Sequence, residues 1–234
     1  MSNEIKNSKI MAAKKALEFI KDGQVVGIGS GTTVEEFINI LAKEIRSSGI
    51  ELITIPTSFR IYQLLVENGF RVATLNEYPE PDVAIDGADE VDSKLNLIKG
   101  GGGAHTLEKI VDYSAREFIV IVDYTKLSNR LCEKRRVPIE VLPIAIKSVS
   151  KKLKEFGALD VTLRNGAPNK YGPLVTETGN MILDVRFPPL ENPESMELKL
   201  KTIPGVIEVG IFSRDHVSAV VVGYPKLAKV LKKT

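Results

Sequence analysis

Four charged residues and a run of glycines lie close together in the chain and could do chemistry. Asp86, Asp89, Lys99 and Glu108 flank or precede the glycine run 100–103. Carboxylates of this kind can take and return protons, and a lysine beside uncovered backbone N–H groups can stabilise a developing oxyanion. The combination suits proton abstraction next to a carbonyl group.

The elements that should position these residues are a strand, a turn and a helix. Residues 82–85 contain a compact apolar run, 83–85, that stops at an Asp-Gly turn, which predicts a buried strand with Asp86 at its carboxyl end. Ligands of open α/β sheets bind at that edge, so we expect Asp86 and Asp89 to point into one crevice. A helical pattern begins near Thr106, and the glycine run before it suits an oxyanion site.

Each of these features also has an ordinary structural explanation. Asp-Gly is a common turn, a glycine run can be a flexible joint, and a Glu in a first helical turn complements the helix dipole. Four consecutive glycines are entropically costly, however, and they stand among three acids and a lysine. We therefore interpret the stretch as a site.

A second candidate anion site lies near the N-terminus. Residues 24–28 are predicted to form a strand, the loop GSGTT follows at 29–33, and a helical pattern then runs to about residue 47. Backbone N–H groups and hydroxyls at such a helix start can surround a phosphate. The loop lacks the third glycine of a dinucleotide fingerprint and the lysine of a P-loop, so a phosphomonoester is predicted. A tight turn with a Ser or Thr cap is the structural alternative.

Together the motifs resemble those of a known family. DGADE at 86–90, IKGGG at 98–102 and EKI at 108–110, with the GSGTT loop and a later lysine, resemble the signature of the type A ribose-5-phosphate isomerases over nearly the whole chain. The resemblance implies an aldose-ketose isomerase that interconverts D-ribose 5-phosphate and D-ribulose 5-phosphate through an enediolate, in the non-oxidative pentose phosphate pathway. It implies no cofactor and no metal.

The resemblance also implies the site residues. The catalytic residues would be Glu108 as the general base, with Asp86, Asp89 and Lys99. The substrate-binding residues would be Ser30, Gly31, Thr32, Thr33, Gly87, Ala88, Gly100, Gly101, Gly102, Lys126 and Lys9. Taken alone, Lys126 would be a solvated loop residue and Lys9 a lysine on the polar face of the first helix.

The order of predicted elements indicates an α/β fold. Strands and helices alternate through the first half, which predicts a doubly wound, mostly parallel, Rossmann-like sheet. Beyond residue 135 the order β-α-β-β-α-β predicts a second, smaller ferredoxin-like α+β domain. In that domain we predict strands at 137–142, 159–163, 181–186 and 206–212, helices at 144–156 and 195–203, and a loop at 165–179.

The chain end is predicted to be a strand at 216–223 and a short helix at 225–231. The resemblance returns this end to the first domain. We therefore expect a Rossmann-like catalytic domain of residues 1–130 and 213–234, and a ferredoxin-like domain of residues 131–212.

Composition narrows the function further. The chain is 43% hydrophobic and 26% charged with a net charge of +2, which gives no general case for nucleic-acid or membrane binding. Cys132 is the only cysteine, so an internal disulfide is excluded, and His105 and His216 are far apart and not expected to bind metal. No apolar targeting segment is present. We expect a cytoplasmic homodimer or homotetramer whose partner is a small sugar phosphate.

Two other functions compete with the isomerase. A sugar-phosphate sensor would keep the phosphate loop without needing the acids, but it would normally carry a DNA-binding element, for which the first helix leaves no room. A phosphatase with an aspartate nucleophile would need acids two residues apart and magnesium, whereas Asp86 and Asp89 are three apart. The isomerase therefore ranks first.

Overall fold

The computed structural model describes residues 3–168 and 170–233, and the chain forms two units. The first unit consists of Met1–Ala88, Leu107–Lys126 and Asp215–Thr234, and the second of Asp89–Thr106 and Leu127–Arg214. The α-helices of the described residues are α1 (Asn3–Ala16), α2 (Thr32–Ser48), α3 (Phe59–Glu67), α4 (His105–Ser114), α5 (Ile146–Glu155) and α6 (Pro193–Lys201). None of them is long and apolar enough to span a membrane.

The first unit is built on a seven-stranded sheet. With strands numbered along the whole chain, it contains β1 (Val25–Ile28), β2 (Ile53–Pro56), β3 (Arg71–Val72), β4 (Val83–Asp86), β7 (Glu117–Asp123), β13 (Ala219–Gly223) and β14 (Ala228–Leu231). Their order across the sheet is β14-β13-β7-β4-β1-β2-β3. All neighbours are parallel except β13 and β14. The predicted Rossmann-like, mostly parallel sheet is confirmed.

The sequence explains why these strands lie at the centre. Central parallel strands are covered on both faces and therefore read as continuous apolar runs. In β4 all four residues are buried, and in β7 all but the first. Because β7, β4 and β1 are neighbours, their carboxyl ends bring residues 123–126, 86–88 and 29–33 to one edge of the sheet.

Helix α2 is preceded and followed by glycines that adopt backbone conformations other residues rarely adopt. Gly31, its N-cap, has φ 124°, and Gly49 after its last turn has φ 73° and donates its N–H to the Ile45 carbonyl. Both values lie in the region that favours glycine. The buried residues of α2 recur at helical spacing as Val34, Phe37, Ile38 and Leu41. The loop before α2 is thus fixed at a helix N-terminus.

The second unit contains two antiparallel sheets. The larger has the order β11-β8-β10-β9, from β8 (Val137–Val141), β9 (Asp160–Leu163), β10 (Met181–Arg186) and β11 (Val206–Val209). With α5 and α6 it forms the predicted ferredoxin-like arrangement. The smaller sheet, which was not predicted, has the order β12-β6-β5, from β5 (Glu90–Val91), β6 (Leu97–Ile98) and β12 (Ile211–Phe212). The predicted loop 165–179 holds only isolated bridges in its described residues.

The single strand predicted at 206–212 is wrong, because the chain changes sheets at Gly210. Gly210 donates its N–H to the Pro138 carbonyl at 2.7 Å and accepts the Lys99 N–H at 2.9 Å. A Cβ at this position would lie 2.5 Å from the Lys99 carbonyl oxygen. Residues 206–209 therefore belong to one sheet and 211–212 to the other.

The helix predicted at 225–231 is also wrong. Tyr224 donates its N–H to the Leu227 carbonyl in a turn, and β14 then pairs antiparallel with β13. Alternate residues Ala228 and Val230 pack on the first unit's core, which is a strand period. The strand predicted from 216 begins only at Ala219, after a 3-10 turn at Arg214–His216.

We expect Gly210→Ala to lower the free energy of unfolding by about 1 to 3 kcal/mol, because the new methyl group meets backbone atoms that cannot move independently. Gly102→Ala is the matched control, since no atom lies within 4 Å of a Cβ there. Urea unfolding would measure both variants. Equal midpoints for the two would contradict the assigned close approach at Gly210.

Candidate active site

The loop 29–33 is tied to the end of β4 by the Asp86 carboxylate. Asp86 Oδ1 accepts the backbone N–H of Ser30 at 3.0 Å and of Gly87 at 2.5 Å. The side chain is fully buried. A Cβ on Gly29 would lie 1.8 Å from Asp86 Cγ, so only glycine leaves room for this carboxylate. The path of the loop therefore depends on Asp86.

A cluster of hydroxyl groups forms beside the loop. Ser30 Oγ lies 2.9 Å from Thr57 Oγ1 and donates to Ser58 Oγ at 2.8 Å. Ser58 also accepts the N–H of Ile61 as the N-cap of α3. Thr57 and Ser58 were not predicted as part of a site. The signal in the sequence is the pair of hydroxyl residues, which directly follows the end of β2.

Two lysines lie near the first turn of α2. Lys9 on α1 is buried, and its Nζ donates to Thr32 Oγ1 at 2.6 Å. Burial lowers the pKa of Lys9, the negative charge of Asp123 counteracts this, and the positive charge of Lys126 lowers the pKa further. Two mutually repelling cations at a helix N-terminus are an arrangement that an anion would stabilise.

Asp89 in the second unit is held by the glycine run. Its carboxylate Oδ2 accepts the Gly101 N–H at 2.7 Å, and its own N–H donates to the Ile98 carbonyl at 2.8 Å. A Cβ on Gly101 would lie 2.7 Å from Asp89 Oδ1. Gly100 has φ 99°, and a Cβ there would lie 2.7 Å from Nδ1 of the buried His105. Glycine is required sterically at position 100, and at position 101 a larger residue would displace the Asp89 carboxylate.

Lys99 is a buried cation next to an aromatic ring. Only 2% of the residue is exposed, and its Nζ lies 5.4 Å from the centre of the Phe212 ring. A ring face at that distance attracts an ammonium group. The Lys99 N–H donates to the Gly210 carbonyl, so the backbone is also fixed before the glycine run.

Glu108 lies in the first turn of α4 and is buried. A carboxylate is favoured at this end of a helix because the unpaired N–H groups carry a partial positive charge. The next residue is Lys109, whose Nζ lies 5.7 Å from the Tyr113 ring centre. Tyr113 stacks on His216 with ring centres 3.7 Å apart. His216 thus has a packing role.

The structure places the predicted residues in two groups. In the first unit it brings Ser30 to Asp86, Thr32 to Lys9, and Lys126 within electrostatic reach of Lys9. In the second unit it brings Asp89 to Gly101. The remaining predicted residues, placed by their elements, are Gly31, Thr33, Gly87, Ala88 and Glu108 in the first unit and Lys99, Gly100 and Gly102 in the second.

A metal has no evident place among the described residues, which contain no group of three or more His, Cys, Asp or Glu that could hold one. Cys132 has a different environment, because burial raises the pKa of its thiol to about 12 and Glu90 adds to the effect. A thiol of this kind is not an active nucleophile. The chemistry available is that of carboxylates, lysines, hydroxyls and backbone N–H groups.

The chain is similar to known proteins over most of its length. The family model described as ribose 5-phosphate isomerase A (phosphoriboisomerase A) matches residues 53–226. Ribose-5-phosphate isomerase A of Methanococcus aeolicus is 48% identical over 226 residues, which cover 96% of this chain and 94% of the relative. The protein of the same name from Pyrococcus abyssi is 46% identical over 230 residues, covering 98% and 99%.

Solved structures of ribose 5-phosphate isomerases also match nearly the whole chain. Ribose 5-phosphate isomerase A from Methanocaldococcus jannaschii has a TM-score of 0.93 and 44% identity, and the match covers 99% of this chain and 100% of that one. A D-ribose-5-phosphate isomerase solved in complex with phospho-erythronic acid has a TM-score of 0.95 and 45% identity, with 100% of both chains covered.

Proposed function

This chain belongs to the ribose 5-phosphate isomerase A family, as its motifs predicted, and from this premise we propose that it interconverts D-ribose 5-phosphate and D-ribulose 5-phosphate. The observation that carries the proposal is the loop 29–33, where the Thr32 hydroxyl meets the buried Lys9 at the N-terminus of α2. The reaction moves a proton between adjacent carbons without net oxidation, so it needs acid-base groups and an oxyanion stabiliser.

We assign the substrate phosphate to the first unit. Its ligands are the hydroxyls and N–H groups of the loop and the two lysines, namely Ser30, Gly31, Thr32, Thr33, Lys9 and Lys126. The positive end of α2 and the charge of the lysines favour the phosphate dianion. Support comes from the bond between Lys9 and Thr32 and from the Asp86 bond that fixes the loop.

We assign the reacting carbons to Glu108, Lys99 and the glycine run. Glu108 is proposed as the general base that removes the proton from one carbon and returns it to the next. Lys99, Gly100, Gly101 and Gly102 are proposed to hold the enediolate oxygen. A carboxylate base together with a cation and N–H donors that stabilise the oxyanion can carry out this step without a metal.

Asp86 and Asp89 stay predictions for ring opening and for moving hydroxyl protons, and Gly87 and Ala88 stay predictions as substrate-binding residues. Their environments differ. Asp86 Oδ1 is occupied by two backbone N–H groups, so Asp86 also supports the phosphate loop. Asp89 Oδ2 accepts a hydrogen bond from the Gly101 N–H, and the residue is partly exposed.

Several broader assignments also remain proposals. These are the catalytic domain of residues 1–130 and 213–234, the ferredoxin-like domain of residues 131–212, a homodimer or homotetramer, a cytoplasmic location, and no nucleic-acid or membrane partner.

Purified protein should convert ribose 5-phosphate to a ketose, followed by absorbance or by NMR. Unphosphorylated ribose should react with a kcat/KM lower by about 10² or more, because phosphate binding energy orients the reacting carbons. Binding of the phosphate ester without turnover would instead support a sugar-phosphate sensor. If ribose were turned over as efficiently as ribose 5-phosphate, the assignment of the substrate phosphate to the loop and lysines of the first unit would be contradicted.

Glu108→Gln should lower turnover by about 10² to 10⁴, because the amide keeps the shape of the side chain but cannot accept the proton. Affinity for a phosphate ester that does not react should change little. Exchange of deuterium from the substrate C2 into solvent is the direct measurement. Exchange at the wild-type rate would move the base assignment to Asp86 or Asp89.

Affinity for the phosphate ester should fall as pH rises, because the pKa of Lys9 is lowered and its positive charge is lost below the usual lysine range. The phosphate dianion favours the charged form of Lys9, so binding takes up a proton at pH values below the usual lysine pKa. Lys9→Met should weaken binding and flatten this dependence. Lys15→Met, which removes a partly exposed lysine of α1 paired with Glu18, should leave both unchanged.

A further inference from the structure

Arg164 directly follows β9 and contacts the backbone of the glycine run within the second unit. Its Nη1 donates to the Gly100 carbonyl at 2.9 Å and to the Gly101 carbonyl at 3.3 Å. The other side of the guanidinium forms a two-point pair with Asp184, from Nε to Oδ2 at 2.8 Å and from Nη2 to Oδ1. The two side chains are only 14% and 22% exposed. A paired guanidinium with this burial has little freedom to turn.

The Gly100 carbonyl and the Gly101 N–H are the two ends of one peptide group. The carbonyl accepts from Arg164, and the N–H donates to Asp89 Oδ2 at 2.7 Å. Because a peptide group is planar, fixing its oxygen also fixes the direction of its N–H. A cation at one end and a carboxylate at the other polarise the group and strengthen both bonds. The contacts thus run from Asp184 through Arg164 to Asp89.

This run of chain needs an external constraint. Gly100 and Gly103 have φ values of 99° and 82°, and glycine populates many backbone conformations at small cost. The N–H groups of such a turn point in a useful direction only if other groups hold their peptides. Arg164 is the side chain that bonds two successive carbonyls of the run.

We propose that Arg164 is a positioning residue for the isomerase, which sets the Gly100–Gly101 peptide and through it the Asp89 carboxylate. Asp184 is its support, because it fixes the plane of the guanidinium. The proposal rests on the proposed function for its kinetic readout. The geometric part, from Arg164 to the Gly101 N–H, is independent of any activity.

An ordinary ion pair of the same sheet provides the comparison. Arg136 Nη1 lies 2.5 Å from Asp160 Oδ2, and these side chains are 41% and 42% exposed. Arg136 Nη1 donates to Asp160 Oδ2, to Thr162 Oγ1 and to the Asp184 carbonyl, and these acceptors lie outside the glycine run. Arg136→Met therefore removes an arginine-aspartate pair from the unit without touching the run.

Arg164→Met should lower kcat by about 10- to 100-fold while KM changes by less than about threefold, since the groups around the reacting carbons are misplaced and the phosphate site is intact. Arg164→Lys should fall between this variant and wild type, because one ammonium group cannot bond Asp184 at two points and both carbonyls together. Arg136→Met should retain kcat within about twofold.

Chemical rescue is a second experiment. Added guanidinium, well below denaturing concentrations, should restore part of the kcat lost in Arg164→Ala and should not raise the kcat of Arg136→Ala.

The Gly101 amide provides a test without substrate. In ¹⁵N-labelled protein its proton should shift and exchange faster in Arg164→Met than in Arg136→Met, because the peptide has lost its carbonyl partner. Wild-type kcat in Arg164→Met, or a loss matched by an equal loss of folded protein in both methionine variants, would overturn the kinetic role. An unchanged Gly101 amide would overturn the geometric one. An inactive wild-type protein would instead refute the proposed function. The Gly101 amide measurement would then still test whether Arg164 positions the peptide.

Discussion

The buried Asp86 carboxylate is the contact on which the first unit's loop depends. Parallel pairing sets Ile28 of β1 opposite Ile85 of β4, so the next residues of both strands meet at the sheet edge. Gly29 leaves space there for the carboxylate, which accepts the Ser30 N–H. A buried carboxylate is costly unless N–H donors surround it, so the bond stabilises the charge and the loop together. The N-terminus of α2 is directed by this bond.

In the second unit, the buried Glu140 carboxyl group holds neighbouring segments by hydrogen bonds, as Asp86 does in the first unit. Burial would raise the pKa of this carboxyl, but four side-chain hydrogen bonds outweigh burial and lower the pKa. One donor, Thr106, lies at the start of α4. The other three lie at the end of the predicted loop or directly after it and are Thr176, Thr178 and Asn180. The stretch from the glycine run to α4 is thus held twice, at its first glycines by Arg164 and at Thr106 by Glu140.

Much of the fold could be predicted because it rests on local patterns. Buried parallel strands are continuous apolar runs that end at Asp or Gly, and both central strands of the site, β1 and β4, have this form. The small sheet could not be predicted, since strands of two residues have no measurable period and Ile98 pairs with Ile211, far along the chain. The last strand was mistaken for a helix because pairing with β13, a tertiary contact, outweighs the local pattern.

The catalytic residues proposed for the candidate site from the sequence are those that share one segment. Asp86, Asp89, Lys99 and the glycines stand in one segment, so their types and spacing were visible. Arg164 stands apart from that segment and has no motif of its own, although it bonds two carbonyls of the run. Sequence spacing reveals groups that share a turn, whereas a side chain that holds the turn from another strand is visible only in three dimensions. Glycine-rich sites need such side chains most, because their own residues fix the backbone least.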